Sequence, residues 1–467
     1  MPVVRKKARF KTGRRRRADT RLPGPASGRH GRERYSQGYK AGYTQGVQAG
    51  IEDFGKAFEG TSIIIPTYNG RELLMKCIDS IEAHTTHPFE IIVVDNGSTD
   101  GTVKALRSRA GSIRIGLHES NLGFARAVNT GLMMSKGRTI VLLNNDTLVT
   151  ERWLSNLLLC LESSPEVGAV GPVTNYISGE QQIEVPYREV SEMWPFAAAY
   201  NQSNPGRWQT TERLAGFCLL MKREVWERSG YFDEGYRVGN FEDDDLMVRL
   251  RYLGRSLLIA GDTFIHHTGS MTMRTLGAEG YREVNEGNRQ FFAEKWGNSF
   301  ERLQLLKAEG RLNFTLKTAD YFPAHIRVRD SGGRCWWLEQ GRKHLILDDD
   351  AQLGLLPLPE PVLLSMVDLR LLGTAEPLAG AEVRRRMEEI STRSSSGEEA
   401  VEGAVYRLAD GRWMQVQQGS RREFVTAYAA QSWGVEASTP HPVPEHVLAL
   451  PEGLPILPRV SLIAGHL

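Results

Sequence analysis

Cysteine is scarce in this chain: Cys77, Cys160, Cys218 and Cys335 are the only four in 467 residues, and they stand far apart. That spacing offers no disulfide framework and no paired thiolates for a zinc site, and it fits a reducing compartment. Long apolar runs are missing as well. Nothing approaches the ~20 residues needed to cross a bilayer, and the arginine-rich start has no apolar centre of the kind a secretion signal carries. The expectation is a cytoplasmic protein, free or peripheral to the inner face of a membrane. Net charge is nearly absent at +2, but it is unevenly distributed. Residues 1–34 hold thirteen Lys and Arg against Asp19 and Glu33, a net +11 that leaves −9 for the remainder. Such a tail either binds an anionic membrane surface or another polyanion through phosphate contacts, or is a solvated disordered arm. No specific nucleic-acid-binding motif follows it.

A chain of this length exceeds one ordinary core, so two or three domains are expected. After the basic tail (1–34), Gly38, Gly42, Gly46 and Gly50 recur every fourth residue beside Tyr35, Tyr39, Tyr43, Val47 and Ile51. Residues 35–60 therefore read either as a helix whose glycine seam packs closely on another helix, giving a homo-oligomer or docking on the next domain, or as a flexible linker. From Thr61 the pattern alternates apolar strands with amphipathic helices: strands at Ser62–Ile65, Glu90–Val94, Ile113–Leu117, Thr139–Leu143 and Val167–Val170, helices at 71–84, 101–110, 121–135 and 153–162. That alternation predicts an α/β domain over 61–306 with ligand loops at the carboxyl ends of its strands.

The last third, 307–467, repeats itself. Gly333-Arg334-Cys335-Trp336-Trp337-Leu338-Glu339-Gln340-Gly341 returns 78 positions later as Gly411-Arg412-Trp413-Met414-Gln415-Val416-Gln417-Gln418-Gly419, and Pro377-Leu378 returns as Pro455-Ile456. Two tandem copies of a small β-rich α+β unit are expected, at about 325–390 and 403–467. Each reads as a hairpin followed by a helix and a loop, with the Ser/Glu-rich stretch 391–402 as the exposed join.

Chemistry concentrates at three strand ends. Ile91-Ile92-Val93-Val94-Asp95-Asn96-Gly97-Ser98-Thr99-Asp100 is a buried strand running into polar groups. Asn144-Asn145-Asp146-Thr147 is an acidic turn, and Glu242-Asp243-Asp244-Asp245 is an acidic cluster about a hundred residues later. One carboxylate cluster can hold a metal while the other takes a proton, which points to an enzyme acting on a nucleotide-activated substrate.

Taken in order, Ile65-Pro66-Thr67-Tyr68-Asn69, Val94 to Asp100, Asn121-Leu122-Gly123-Phe124-Ala125-Arg126-Ala127-Val128-Asn129-Thr130-Gly131, Asn144-Asn145-Asp146 and Glu242 to Asp245 resemble an inverting family 2 glycosyltransferase. The likeness covers residues 61–300 and is nearest the rhamnosyltransferase-like branch, because Asn96 and Asn144 stand where other branches carry Asp. It implies the GT-A nucleotide-diphospho-sugar transferase fold, a Rossmann-like mixed sheet, flanked here by the basic tail and the repeat domain. The implied activity is transfer of a sugar from a UDP- or dTDP-linked donor to a glycan, glycolipid or protein acceptor, as in cell-envelope polysaccharide biosynthesis. The alternative is an inactive glycan-binding scaffold on the same fold.

The resemblance also implies roles. Tyr68 would stack on the donor base and Asn96 read its edge, with Pro66, Asn69 and Asp95 shaping the turn. Asn121, Gly123 and Asn145 would line the nucleotide side, and Arg126 would meet the nucleotide or form a surface ion pair. Asp146 would hold Mn2+ or Mg2+ at the donor diphosphate, joined by His267 in preference to His266. Asp243 would be the catalytic base, with Gly216 and Glu242 on the acceptor side. Asp245 and Arg249 read as a solvated pair at helical spacing, and Trp194 and Trp208 as core aromatics rather than sugar platforms.

Overall fold

Three successive isoleucines show how the sheet is covered. Ile63, Ile64 and Ile65 are all fully buried. Ile63 and Ile65 share one apolar layer with Leu74 and Ile78, while Ile64 belongs to a second layer with Val128 and Leu132. A strand buried on both faces has to be apolar at every position, which is why this segment does not alternate. The computed structural model describes residues 57–109, 111–269, 271–347, 360–435 and 443–463. The basic tail and all but the last four residues of the Gly/Tyr segment lie outside them. Among the described residues no helix is long and apolar enough to cross a membrane.

The first domain runs β1 (Phe58–Thr67), α1 (Arg71–His84), β2 (Phe89–Asn96), α2 (Thr102–Ser108), β3 (Ile113–His118), α3 (Phe124–Met134), β4 (Gly137–Leu143) and β5 (Thr147–Leu148). It continues with α4 (Trp153–Leu161), β6 (Val167–Val173), α5 (Val190–Tyr200), β7 (Trp208–Thr211), β8 (Cys218–Lys222), α6 (Arg223–Ser229) and α7 (Glu242–Tyr252). β9 (Ser256–Phe264), β10 (His266–His267), α8 (Met271–Trp296), bent at Gly277, and α9 (Ser299–Ala308) complete it. Eight strands form one mixed sheet in the order β3-β2-β1-β4-β8-β6-β9-β7. β1 to β4 are parallel, and β8 runs antiparallel to β4. Because β2 lies on one side of β1 and β4 on the other, the connections that leave the carboxyl ends of β1 and β4 run in opposite directions and open a crevice. The turns after β1, β2 and β4 all face it.

The C-terminal region contains β11 (Ile326–Arg329), β12 (Cys335–Glu339), β13 (Arg342–Leu347), β14 (Val362–Leu363), α10 (Met366–Arg370), β15 (Gly373–Ala379) and α11 (Gly380–Ser396). After these come β16 (Val405–Arg407), β17 (Trp413–Gln417), β18 (Ser420–Glu423), α12 (Ala427–Ser432) and α13 (Glu445–Leu448). The antiparallel meander β11-β12-β13 is repeated as β16-β17-β18. The segment expected to be a loop is a parallel strand instead. Lys343 pairs with Thr374 and Ile346 with Leu378, while 78 residues on Arg421 pairs with Glu452 and Phe424 with Ile456. The Ser/Glu-rich join is partly helical, since α11 runs to Ser396. The chain then returns to the first domain: the Ser461 N–H donates to Asp233 Oδ2 (3.1 Å), Glu234 N–H to Ser461 O (2.9 Å) and Ile463 N–H to Glu234 Oε2 (2.7 Å). Leu462 is buried in the same core layer as Phe232.

Candidate active site

At the end of β4 the backbone N–H of Asn144 donates to Phe217 O (2.9 Å), extending the β4–β8 ladder by one residue. Two side chains follow from that contact. Asp146 is buried and its Oδ1 lies 3.2 Å from His267 Nε2. Gly216, next to Phe217, donates its N–H to Asp243 Oδ2 (2.8 Å). The two acidic motifs are therefore neighbours, bridged by Gly216-Phe217.

His267 is held on every side. Asn175 accepts its backbone N–H (2.9 Å) and donates to its carbonyl (3.1 Å). Its Nδ1 donates to Tyr176 O (2.7 Å), and Phe217 stacks on the ring at 5.6 Å with planes 16° apart. A carbonyl partner fixes the proton on Nδ1, so in the neutral ring Nε2 presents a lone pair towards a carboxylate oxygen. Nε2 is buried and makes no well-aligned hydrogen bond. Two acceptors facing each other at this distance call for a cation between them, a proton or a metal ion. Burial opposes charge on His267, but Asp146 and the Tyr176 carbonyl outweigh it and hold the ring above its ordinary value. His266 faces away, its Nδ1 2.7 Å from the Tyr187 hydroxyl. Among the described residues no three His, Cys, Asp or Glu side chains gather as metal ligands.

Asp243 sits in the first turn of α7, where four acids complement the helix dipole. Its Oδ1 accepts the Asp244 N–H (2.9 Å) as its Oδ2 accepts that of Gly216. Burial and the neighbouring Asp244 push its carboxyl up to about 6, against the opposing pull of Arg213 and these N–H donors. Beside it Glu242 Oε2 is buried without a donor, and burial with repulsion from Asp243 lifts that carboxyl well above the usual range. Asp243 is thus poised to take a proton near neutrality. Asp245, expected in solvent, is fully buried between Arg249 (3.0 Å) and Lys295 (2.6 Å).

The nucleotide-side residues are placed unequally. Tyr68 is half-buried at the crevice beside the buried Pro66. Asn69, with φ 55, ties the first turn to the second by donating its N–H to Ser98 Oγ (2.7 Å) and accepting the Thr99 N–H (2.9 Å). Asn145 Nδ2 donates to Thr67 Oγ1 (2.7 Å), joining the ends of β1 and β4. Asn96 is engaged within the protein. Its amide donates to Asn121 Oδ1 (2.9 Å) and Gly123 O (3.0 Å), and its carbonyl meets His118 Nδ1 (2.8 Å) and Leu122 N–H (3.0 Å). No amide atom is left to read a base. Asn121 is spent in the same turn, also accepting the Gly123 N–H (3.0 Å). Arg126 Nε lies 3.7 Å from the buried Glu234 carboxylate, which makes it an ion-pair partner. The free group is Asp95: its Oδ2 accepts the Ser98 N–H (3.0 Å), while its buried Oδ1 has no donor. Trp194 stacks on His84 (4.9 Å) and Trp208 donates to Asp262 (3.0 Å). Asn175, Tyr176 and Phe217 were not foreseen as site residues. Only Phe217 carried a signal, lying next to Gly216, which was expected on the acceptor side.

Residues 62–229 match the family model described as Glycosyl transferase family 2. The chain carries a family 2 glycosyltransferase domain. Its fold is a mixed sheet with helices, followed by the β-rich C-terminal region. Over 241 residues the chain is 28% identical to the N-acetylglucosaminyl-diphospho-decaprenol L-rhamnosyltransferase of Mycobacterium tuberculosis, covering 45% of this chain and 77% of that protein. It is 26% identical over 225 residues to glycosyltransferase GlyG of Streptococcus pneumoniae, covering 46% and 73%. Among solved structures, the mannosyltransferase of Pyrobaculum calidifontis in complex with GDP-Man and Mn2+ is 24% identical at a TM-score of 0.36, covering 49% of this chain and 61% of that one.

Proposed function

We propose that this glycosyltransferase moves a sugar, with inversion, from a UDP- or dTDP-linked donor to a hydroxyl of a glycan, glycolipid or protein acceptor in cell-envelope polysaccharide biosynthesis. The carrying observation is the adjacency of the Asp146–His267 pair and the Asp243 carboxylate across Gly216-Phe217. Asp243 takes the proton of the acceptor hydroxyl. The oxygen then bonds to the anomeric carbon as the bond from that carbon to the diphosphate oxygen breaks, and the nucleoside diphosphate leaves with the electron pair. One displacement from the opposite side inverts the configuration. Asp146 and His267 are the residues that would hold Mn2+ or Mg2+, and such an ion neutralises charge on the departing diphosphate. Tyr68 supplies a ring for the base to stack on. The single unpartnered oxygen of Asp95 matches the single imide N–H of uracil or thymine and takes over the edge-reading role first given to Asn96.

The name of the mycobacterial relative supports dTDP-rhamnose as the first donor to try and a polyprenyl-diphospho-N-acetylglucosamine as the first acceptor. The test is incubation with dTDP-rhamnose, UDP-N-acetylglucosamine and GDP-mannose, each with that acceptor. The expected result is product of inverted configuration from one pyrimidine donor, reduced at least a thousandfold in Asp243→Asn. Transfer that survives Asp243→Asn, or a product of retained configuration, would contradict the assignment.

A further inference from the structure

Asp243 is held at two removes from the crevice, and the holding elements converge on one helix face. The loop leading into α7 is strained: Val238, Asn240 and Phe241 have φ of 62, 82 and 72°, a left-handed conformation that side-chain-bearing residues, β-branched valine above all, rarely adopt. Such a loop persists only where its surroundings over-determine it. Here one amide does so. Asn288, 2% exposed, accepts the Arg237 N–H (2.9 Å) and donates to Arg237 O (2.9 Å), Gly239 O (2.9 Å) and Asn240 O (3.1 Å). Seven residues on, two turns along the same face of α8, the fully buried Lys295 meets Asp233 (2.5 Å) and Asp245 (2.6 Å). Between and beside them Phe291 packs on Tyr236, Phe292 on Phe241, and Trp296 donates to Asp245 Oδ1 (2.8 Å). The opposite face, with Glu286, Arg289 and Glu294, is exposed.

We propose that this inner face of α8 is a clasp that sets the position of Asp243, with Asn288 and Lys295 as positioning residues for the transfer step. Asn288 fixes the backbone before the acidic turn and Lys295 fixes the carboxylate after it, so the segment carrying the base is pinned at both ends while the base faces Gly216. Neither residue touches Asp243. The clasp lies outside residues 62–229, the part of the chain that the family model matches. The inference rests on Asp243 being the base.

The test is Asn288→Asp, which keeps size and shape but turns a carboxylate oxygen towards three carbonyls. Asn288→Ser, smaller and uncharged, is the second variant. For each, donor turnover, nucleotide affinity by calorimetry and amide exchange over 237–246 are measured against the wild type. A displaced base costs roughly tenfold to a hundredfold in rate. The expected result is turnover down by that factor, nucleotide affinity within twofold, and faster exchange confined to 237–246. Turnover within twofold of wild type in both variants, or turnover and nucleotide binding falling together, overturns the clasp. If the wild type turns over no donor, the proposed function is what fails. Exchange at 237–246 then tests the clasp alone, and unchanged exchange in both variants overturns it.

Discussion

A carboxyl group raised to about 6 works as a base only once it has lost its proton, so the transfer rate should climb as pH rises through about 6 and level off above it. A pH–rate profile under saturating donor checks this, and a rate falling over that range would contradict it. The same shift has a cost in stability. A carboxyl with a folded pKa above its unfolded value stabilises the fold below the unfolded value, and that stabilisation is lost as pH rises through the folded one. At pH 8 the ionised Asp243 therefore works against the fold. Asp243→Asn should lose transfer while melting no lower than the parent at pH 8, as read by calorimetric scans at pH 5 and pH 8. At this scale the sequence was a partial guide. Asp146, His267 and Asp243 could be named because each lies in a compact motif. The partners of the Asn96 amide were not legible because the four groups that engage it lie 22 to 27 residues downstream, and their approach depends on how β3 and the turn after it fold back.

Among the elements, the entry to β8 is the most constrained. A Cβ on Gly216 would stand 3.2 Å from Asp243 Oδ2 and 3.3 Å from Asp243 Cβ, closer than such contacts ordinarily come. Gly216→Ala should push the carboxylate by a few tenths of an ångström, lowering turnover roughly tenfold with nucleotide affinity unchanged. Paired kinetics and calorimetry test this, and an unaffected rate would mean that the base tolerates displacement. Strands β1 to β4 and their helices were legible because buried parallel strands read as apolar runs and helices as 3.6-residue patterns. The inner face of α8 was not legible. Asn288, Phe291, Phe292, Lys295 and Trp296 follow helical spacing, but a lysine and an asparagine on the buried stripe conceal it, and their partners at 233–245 lie some fifty residues earlier.

Across the whole molecule, the C-terminal segment ties the repeat region to the motif that precedes the base. Asp233 Oδ2 accepts from both Lys295 and Ser461, and Glu234 from Ile463. Truncation before Arg459 removes the Ser461 and Ile463 donors and the buried Leu462, leaving each of the two carboxylates one partner short. It should lower the melting temperature by several degrees, and an unchanged melting curve would show that the segment is dispensable. The 78-residue repeat was visible in the sequence from its tryptophan-bearing hairpins. Its parallel strand was not, because Gly373–Ala379 carries few apolar residues and pairs along the far edge of β13.

The central claim is that a nucleoside diphosphate binds at the carboxyl ends of β1, β2 and β4 with a metal ion at Asp146 and His267. The most direct measurement is calorimetric titration of the wild type and His267→Ala with UDP, dTDP and GDP, each with and without Mn2+. The account predicts that UDP or dTDP binds at least tenfold more tightly with Mn2+ and that this gain disappears in His267→Ala, while metal-free affinity stays within twofold. Binding of none of the three nucleotides by the folded wild type, or a metal-dependent gain that survives the loss of His267, would contradict it.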